Sequence, residues 1–280
     1  MLSERVAVIT GAASGIGLAL VQACLQEGMQ VVMADCAEAR LFEEVARLQG
    51  LFSQRILGVV CDVSKRDQIE QLAIKTYQQF HRVDWLINNA GISGHLAPVW
   101  TLTHEHVSKV LDVNLHGVLH GVQLFLPLMF EQGCPGHIVN MSSFYGLCSG
   151  SYMGAYAMSK HAIVALSESL FFDLKRLNKP IGVSVVCPSF ANTALMQQSE
   201  PTIADSLHGM VSDLMARCRP ASDVAAAILR GIKSNTFYIL PDKEVKQDCE
   251  QRTTAIVNQT NPHEHSLEKI ILALSRRVIA

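Results

Sequence analysis

The sequence predicts an α/β protein: a single doubly wound domain whose seven-stranded parallel sheet is flanked by helices on both faces. Two observations predict it. Short apolar, β-branched runs alternate with longer amphipathic runs along most of the chain, and that alternation is the signature of strand–helix–strand units. The strand runs are also separated by enough residues for a helical crossover, which parallel neighbours require and antiparallel ones do not.

In order, the strand expectations are Val6–Thr10, Gln30–Ala34, Ile56–Cys61, Val83–Asn88, His137–Ser142, Gly182–Cys187 and Thr236–Leu240. Helical patterns fall near 15–27, 37–48, 65–80, 103–131, 152–177 and 222–233, and Gly28 stands where the first helix should end. Residues 1–240 are taken as the folded body. Two regions break the rhythm. Residues 189–221, with Pro188, Pro201 and Pro220 around and within them, read as a long loop over a substrate site. Residues 241–280 form a C-terminal extension in which Leu267–Ile279 is amphipathic, read as a helix docked on its own body or on a sister subunit and not as a membrane-surface anchor.

Composition bounds the function. The 280 residues carry a net charge of −2, with 49% hydrophobic and 17% charged residues. These values exclude a disordered chain, and the scattered bases give no nucleic-acid-binding stripe. The apolar stretch from Leu111 to Phe130 contains Asp112, Asn114, His116, His120 and Gln123, so it reads as a core helix and not a membrane span. Eight cysteines without a CxxC pair read as reduced thiols, and a strand opening at Val6 leaves no space for a signal peptide; together these predict a cytoplasmic protein.

Thr10-Gly11-Ala12-Ala13-Ser14-Gly15-Ile16-Gly17 follows the first strand and opens the first helix. Gly11 permits a tight turn, Gly15 lets backbone approach a pyrophosphate, and Gly17 lets the helix lie close to the sheet, with phosphate at the positive helix end. The second strand ends in Asp35, where a carboxylate would accept the adenosine ribose hydroxyls and repel a 2′-phosphate. Ser14 and Cys36 nearby are uncharged, and Arg40 lies further along, so NAD is favoured over NADP.

Tyr156 and Lys160 are four residues apart, and Ser143 precedes the tyrosine by thirteen. A phenol has an ordinary pKa of about 10, and an ammonium one helical turn away should pull it toward neutrality. A serine hydroxyl can hold a substrate oxygen against such a tyrosine, which makes an acid/base site for a carbonyl–alcohol interconversion.

With these motifs the chain resembles the short-chain dehydrogenase/reductase family in its compact, Rossmann-like, single-domain form, from about residue 4 to residue 240. Asp62-Val63 after the third strand, Asn88-Asn89-Ala90-Gly91 after the fourth, and Asn114 complete the likeness. The resemblance implies that Tyr156 is the general acid/base, that Lys160 lowers its pKa and grips the nicotinamide ribose, that Ser143 polarises the carbonyl, and that Asn114 holds a water linked to Lys160. It implies cofactor contacts from Gly11, Ser14, Gly15, Ile16, Gly17, Asp35, Asp62, Val63, Asn89, Ala90, Gly91, Pro188, Ala191 and Thr193, besides Tyr156 and Lys160. It also implies a homodimer or homotetramer built on the helices near 103–131 and 152–177. The chain departs from the family at Ser189, where glycine is usual; a positive φ there would be less comfortable for serine.

His95, Leu96, Phe144, Tyr145, Tyr152, Met153, Phe190, Leu195 and Met196 are expected around the reacting carbon, giving an apolar pocket for a hydrophobic secondary alcohol or ketone. The paired histidines (His104 and His106, His116 and His120, His263 and His265) lack a third ligand at metal-binding spacing, and no metal is expected. The reading is therefore an NAD(H)-dependent oxidoreductase acting on a small-molecule alcohol or ketone. Its alternatives are an NADP(H)-dependent carbonyl reductase, a catalytically silent nucleotide-binding scaffold, and, from the spacing Gly15-x-Gly17 and the short tail least of all, a sugar-nucleotide epimerase.

Overall fold

The chain runs β1 (Val6–Thr10), α1 (Gly15–Gln26), β2 (Gln30–Asp35), α2 (Glu38–Phe52), β3 (Ile56–Val60), α3 (Arg66–Phe80) and β4 (Trp85–Asn88) through its first half. It continues with α4 (His104–Leu111), a π-helical turn (Asp112–His116), α5 (Gly117–Gln132), β5 (Gly136–Met141), α6 (Gly154–Arg176) and β6 (Ile181–Val186). The two-residue strands β7 (Ala191–Asn192) and β8 (Arg219–Pro220) pair with each other; then come α7 (Ala221–Lys233), β9 (Tyr238–Ile239), α8 (Lys243–Val257) and α9 (Ser266–Ile279). The structure is a computed structural model and describes residues 2–52, 55–189, 191–192, 209–210, 213 and 218–279. Phe190, Thr193, Leu195, Met196 and most of the 189–221 segment lie outside the described residues.

Seven parallel strands pair in the order β3-β2-β1-β4-β5-β6-β9. All seven expected strands are present, Val6–Thr10 with the expected bounds and the other six within one or two residues at their ends; the last shrinks to Tyr238–Ile239 because it pairs only with Val185 and Val186 on one side. The central strands are buried on both faces. One face packs α1 and α7 through Leu20, Val21, Ile228 and Leu229, and the other packs α3, α5 and α6 through Leu72, Phe125 and Leu170. Two such covered faces are what make the strand runs continuously apolar.

Local chemistry explains the boundaries. Gly28, at φ +87°, closes α1: its N–H donates to the Leu25 carbonyl while the Met29 N–H reaches back to Cys24. That pair of bonds is the Schellman arrangement, and it needs a left-handed residue where glycine stands. The helix from His104 to Gln132 is long and apolar enough to cross a membrane by length and composition alone. Here it lies against β4, β5, α3 and α6. The expected uniform helix over 103–131 is interrupted by the π turn that carries Asn114, an insertion of a kind frequent at functional sites.

Candidate active site

The strand order reverses between β1 and β4, and the crevice at the C-terminal ends of strands beside such a switch point is where doubly wound sheets bind ligands. A cleft opens there. Gly11 and Gly15 have φ of +62° and +53°, the left-handed region that favours glycine. A side chain at Gly11 would meet Ala90 Cα at 2.9 Å, and one at Gly17 would run into the Gly11 carbonyl oxygen. Thr10 and Asn89 lock the turn to β4. The Thr10 hydroxyl accepts from Asn89 N and Ala90 N, each at 3.0 Å, while Asn89 Nδ2 donates to the carbonyls of Thr10 and Gly11. The α1 N-terminus has no side-chain cap and no acidic residue in its first turn, so its free amides face the cleft. Asp35, at the end of β2, accepts from Ala13 N and Ala37 N, both at 2.9 Å.

Across the cleft, α6 presents Tyr156 and Lys160, both buried, toward Ser143. The Ser143 hydroxyl hydrogen-bonds the Tyr156 phenol and accepts from Tyr145 N at 3.2 Å. Lys160 Nζ donates to the Met141 carbonyl at 2.9 Å and stands 5.5 Å from the centroid of the Tyr156 ring. Burial raises the Tyr156 pKa to about 12, with the Ser143 hydrogen bond pulling the other way. Burial lowers Lys160 to about 8. For the protein by itself desolvation is the larger influence on both groups and favours the neutral form of each.

Asn114 lies behind the cleft. Its Oδ1 accepts from Ile92 N at 2.8 Å, and its Nδ2 donates to the Ile92 carbonyl and Ser159 Oγ. A side chain at Gly91 would come 3.2 Å from Asn114 Oδ1 and 3.4 Å from Lys160 Nζ, so this glycine is what lets the two approach. Asp62 accepts from the backbone and hydroxyl of Ser64, fixing the turn that opens α3.

Of the sequence-derived residues, Gly11, Ser14–Gly17, Asp35, Asp62, Val63, Asn89–Gly91, Ser143, Tyr145, Met153, Tyr156, Lys160 and Pro188 line the cleft. Leu96 and Phe144 are buried in the adjoining cluster with Tyr145, Met153 and Tyr156. His95 stacks on His106, with ring centroids 4.2 Å apart. Neither Leu96, Phe144 nor His95 lines the cleft. Ala191 lies in β7, and Phe190, Thr193 and Met196 fall outside the described residues. The concern at Ser189 is removed, since its φ is not positive; its N–H instead donates to Asp242 Oδ2 at 2.9 Å.

Sequence reasoning missed the contribution of the extension. His265 Nδ1 accepts from Glu268 N at 3.0 Å, capping α9, which leaves Nε2 to donate to the Ser149 carbonyl at 2.9 Å. Glu268 accepts from the backbone N–H of Ser151 at 2.8 Å and from its hydroxyl. The tail thereby clasps the 149–151 loop between Ser143 and Tyr156. A carboxylate and an imidazole three residues apart ahead of an apolar run are the only sequence signal for it. Cys36 and Ser189 line the cleft too, and Cys61, Ile92, Ser93, Val113, Met141 and Ser142 do so without having been singled out.

The family model described as short chain dehydrogenase matches residues 5–204. The 1-deoxy-11-beta-hydroxypentalenate dehydrogenase of Streptomyces exfoliatus is 32% identical over 88% of this chain and 86% of its own. The human 15-hydroxyprostaglandin dehydrogenase [NAD(+)] is 34% identical over 71% and 73% of the two chains. Among solved structures, a short chain dehydrogenase/reductase from Burkholderia phymatum in complex with NAD superposes with a TM-score of 0.89 at 33% identity, covering 94% of this chain and 97% of that one. The chain belongs to the short chain dehydrogenase family, and it is an oxidoreductase of the nicotinamide-dependent kind that acts on CH–OH groups.

Proposed function

We propose that this enzyme uses NAD(H) to interconvert a hydrophobic secondary alcohol and its ketone, with Tyr156 as the proton carrier. The observation that carries the reading is the convergence of Tyr156, Ser143 and Lys160 on the cleft that also holds the glycine turn and Asp35.

A nicotinamide dinucleotide fits the residues present. The uncapped α1 amides would hold its diphosphate, with Gly11 and Gly17 already too crowded for any side chain. Asp35 would take the adenosine ribose, with Asp62 and Val63 at the adenine end and Asn89, Ala90 and Gly91 along the path. Lys160 and Pro188 stand at the nicotinamide end. Preference for NAD follows from the Asp35 carboxylate, flanked by uncharged Ser14 and Cys36, which would repel a 2′-phosphate. A 33%-identical relative solved with NAD, and another whose name specifies NAD(+), support it.

A bound nicotinamide would supply the hydride donor or acceptor for the carbinol carbon. Ser143 holds the substrate oxygen beside the phenol, and Tyr156 takes or gives the proton at that oxygen. Lys160, anchored by Met141, places a positive charge behind the ring. Asn114 acts by fixing the 91–92 backbone beside Lys160. Met153 and Tyr145 supply apolar wall, which suits an apolar substrate.

The exposed faces of Met158 and Phe172 on α6 support assembly as a dimer or tetramer, and eight free thiols support a cytoplasmic setting. The test of the whole reading is turnover. The protein with NAD and a panel of apolar secondary alcohols should generate reduced-nicotinamide absorbance; silence with NAD bound, or turnover with NADP alone, would contradict it.

A further inference from the structure

Tyr145 is 1% exposed, and its hydroxyl has no hydrogen-bond partner. Buried polar groups are paired almost without exception, and a bare one costs stability. The ring is enclosed by its neighbours. It stands edge-on to Phe144 at 5.6 Å and to His265 at 6.1 Å, and its own backbone N–H is bonded to Ser143 Oγ. It is also edge-on to Tyr156, with centroids 6.1 Å apart, and both rings line the same cleft.

The Tyr145 ring shares the cleft wall with the proton carrier, and a ligand seated in that cleft could supply the partner its bare hydroxyl lacks. Resting on the alcohol–ketone reading above, we propose that Tyr145 donates a hydrogen bond to a second, uncharged oxygen of the substrate. The preferred substrates are then diols and hydroxyketones, not simple monofunctional alcohols. Burial and the nearby Glu268 carboxylate raise the Tyr145 pKa, so the hydroxyl keeps its proton and acts as donor. The same carboxylate argues for a neutral partner. A side chain placed on Gly150 would lie 2.5 Å from Glu268 Oε2 and 3.3 Å from Tyr145 Cε1, so an anionic group bonded to Tyr145 would sit near a buried negative charge.

The test compares kcat/KM for matched pairs on one carbon skeleton, such as cyclohexanol against 1,2- and 1,3-cyclohexanediol, with a hydroxy acid as the charged arm. Wild type and Tyr145→Phe are assayed side by side. The wild type should favour the uncharged two-oxygen member by roughly tenfold or more, and Tyr145→Phe should lose that discrimination through a larger loss on the diols than on the monool. Thermal unfolding gives a second readout: removing an unpaired buried hydroxyl should leave the melting temperature equal or higher.

A preference that survives Tyr145→Phe, the absence of any preference, or a best substrate that is the hydroxy acid overturns this inference alone. So does a clear drop in melting temperature, which would mean that the hydroxyl already has a partner. Silence of the wild type on every compound with NAD bound overturns the alcohol–ketone reading and this inference with it.

Discussion

The Lys160 amine is committed to the carbonyl oxygen of Met141 at 2.9 Å, while the centroid of the Tyr156 ring lies 5.5 Å from that same nitrogen. A four-residue spacing puts both side chains on one helix face, yet it is the backbone of β5 that receives the ammonium. The pair is thus a buried phenol beside a buried, tethered cation, and burial moves their titrations apart, the phenol up and the ammonium down.

This makes a spectroscopic prediction. With Tyr156 at about 12 and Lys160 at about 8, the free protein at neutral pH holds phenol and ammonium. The phenolate difference spectrum, wild type minus Tyr156→Phe, should stay flat up to about pH 10, the ordinary tyrosine value. A phenolate signal near neutrality in the free protein would contradict this. The sign for catalysis follows: oxidation needs the phenolate and should accelerate as pH rises above neutrality, whereas reduction needs the phenol and should not.

Asp35 carries the cofactor preference. Its carboxylate already orders Ala13 and Ala37, so Asp35→Asn keeps one acceptor oxygen and removes the charge. The ratio of kcat/KM for NAD over NADP should fall at least tenfold, about 1.4 kcal/mol. An unchanged ratio would place the ribose elsewhere.

Glu268 tests the tail. Glu268→Ala leaves Ser151 N and Oγ without their acceptor, which should cost about 1–3 kcal/mol in denaturant unfolding. It should also lower kcat, because the loop that joins Ser143 to Tyr156 loses its clasp. Unchanged stability and rate would reduce α9 to a passive appendage.

The parts legible in the sequence are those that local chemistry determines alone. Strand runs such as Val6–Thr10 and Trp85–Asn88 are largely apolar because both faces are covered, and Gly11 and Gly28 mark backbone that only glycine takes easily. The cleft residues on the turns after β1, β2 and β4 follow from the same alternation. What was not legible depends on long-range packing. Helix α8 buries only Val245 and Asp248, too few residues to show a period. The grip of His265 and Glu268 spans more than a hundred residues of chain. The Lys160–Met141 bond depends on how deeply α6 docks against β5, and spacing within one helix carries no information on that.

The central claim is that Tyr156 carries the proton. The most direct measurement is steady-state turnover of wild type and Tyr156→Phe on an accepted secondary alcohol, paired with NAD affinity for each. The account predicts a loss of kcat/KM of about 10²–10⁴-fold with NAD affinity within a few fold of wild type. Turnover retained in Tyr156→Phe would contradict it.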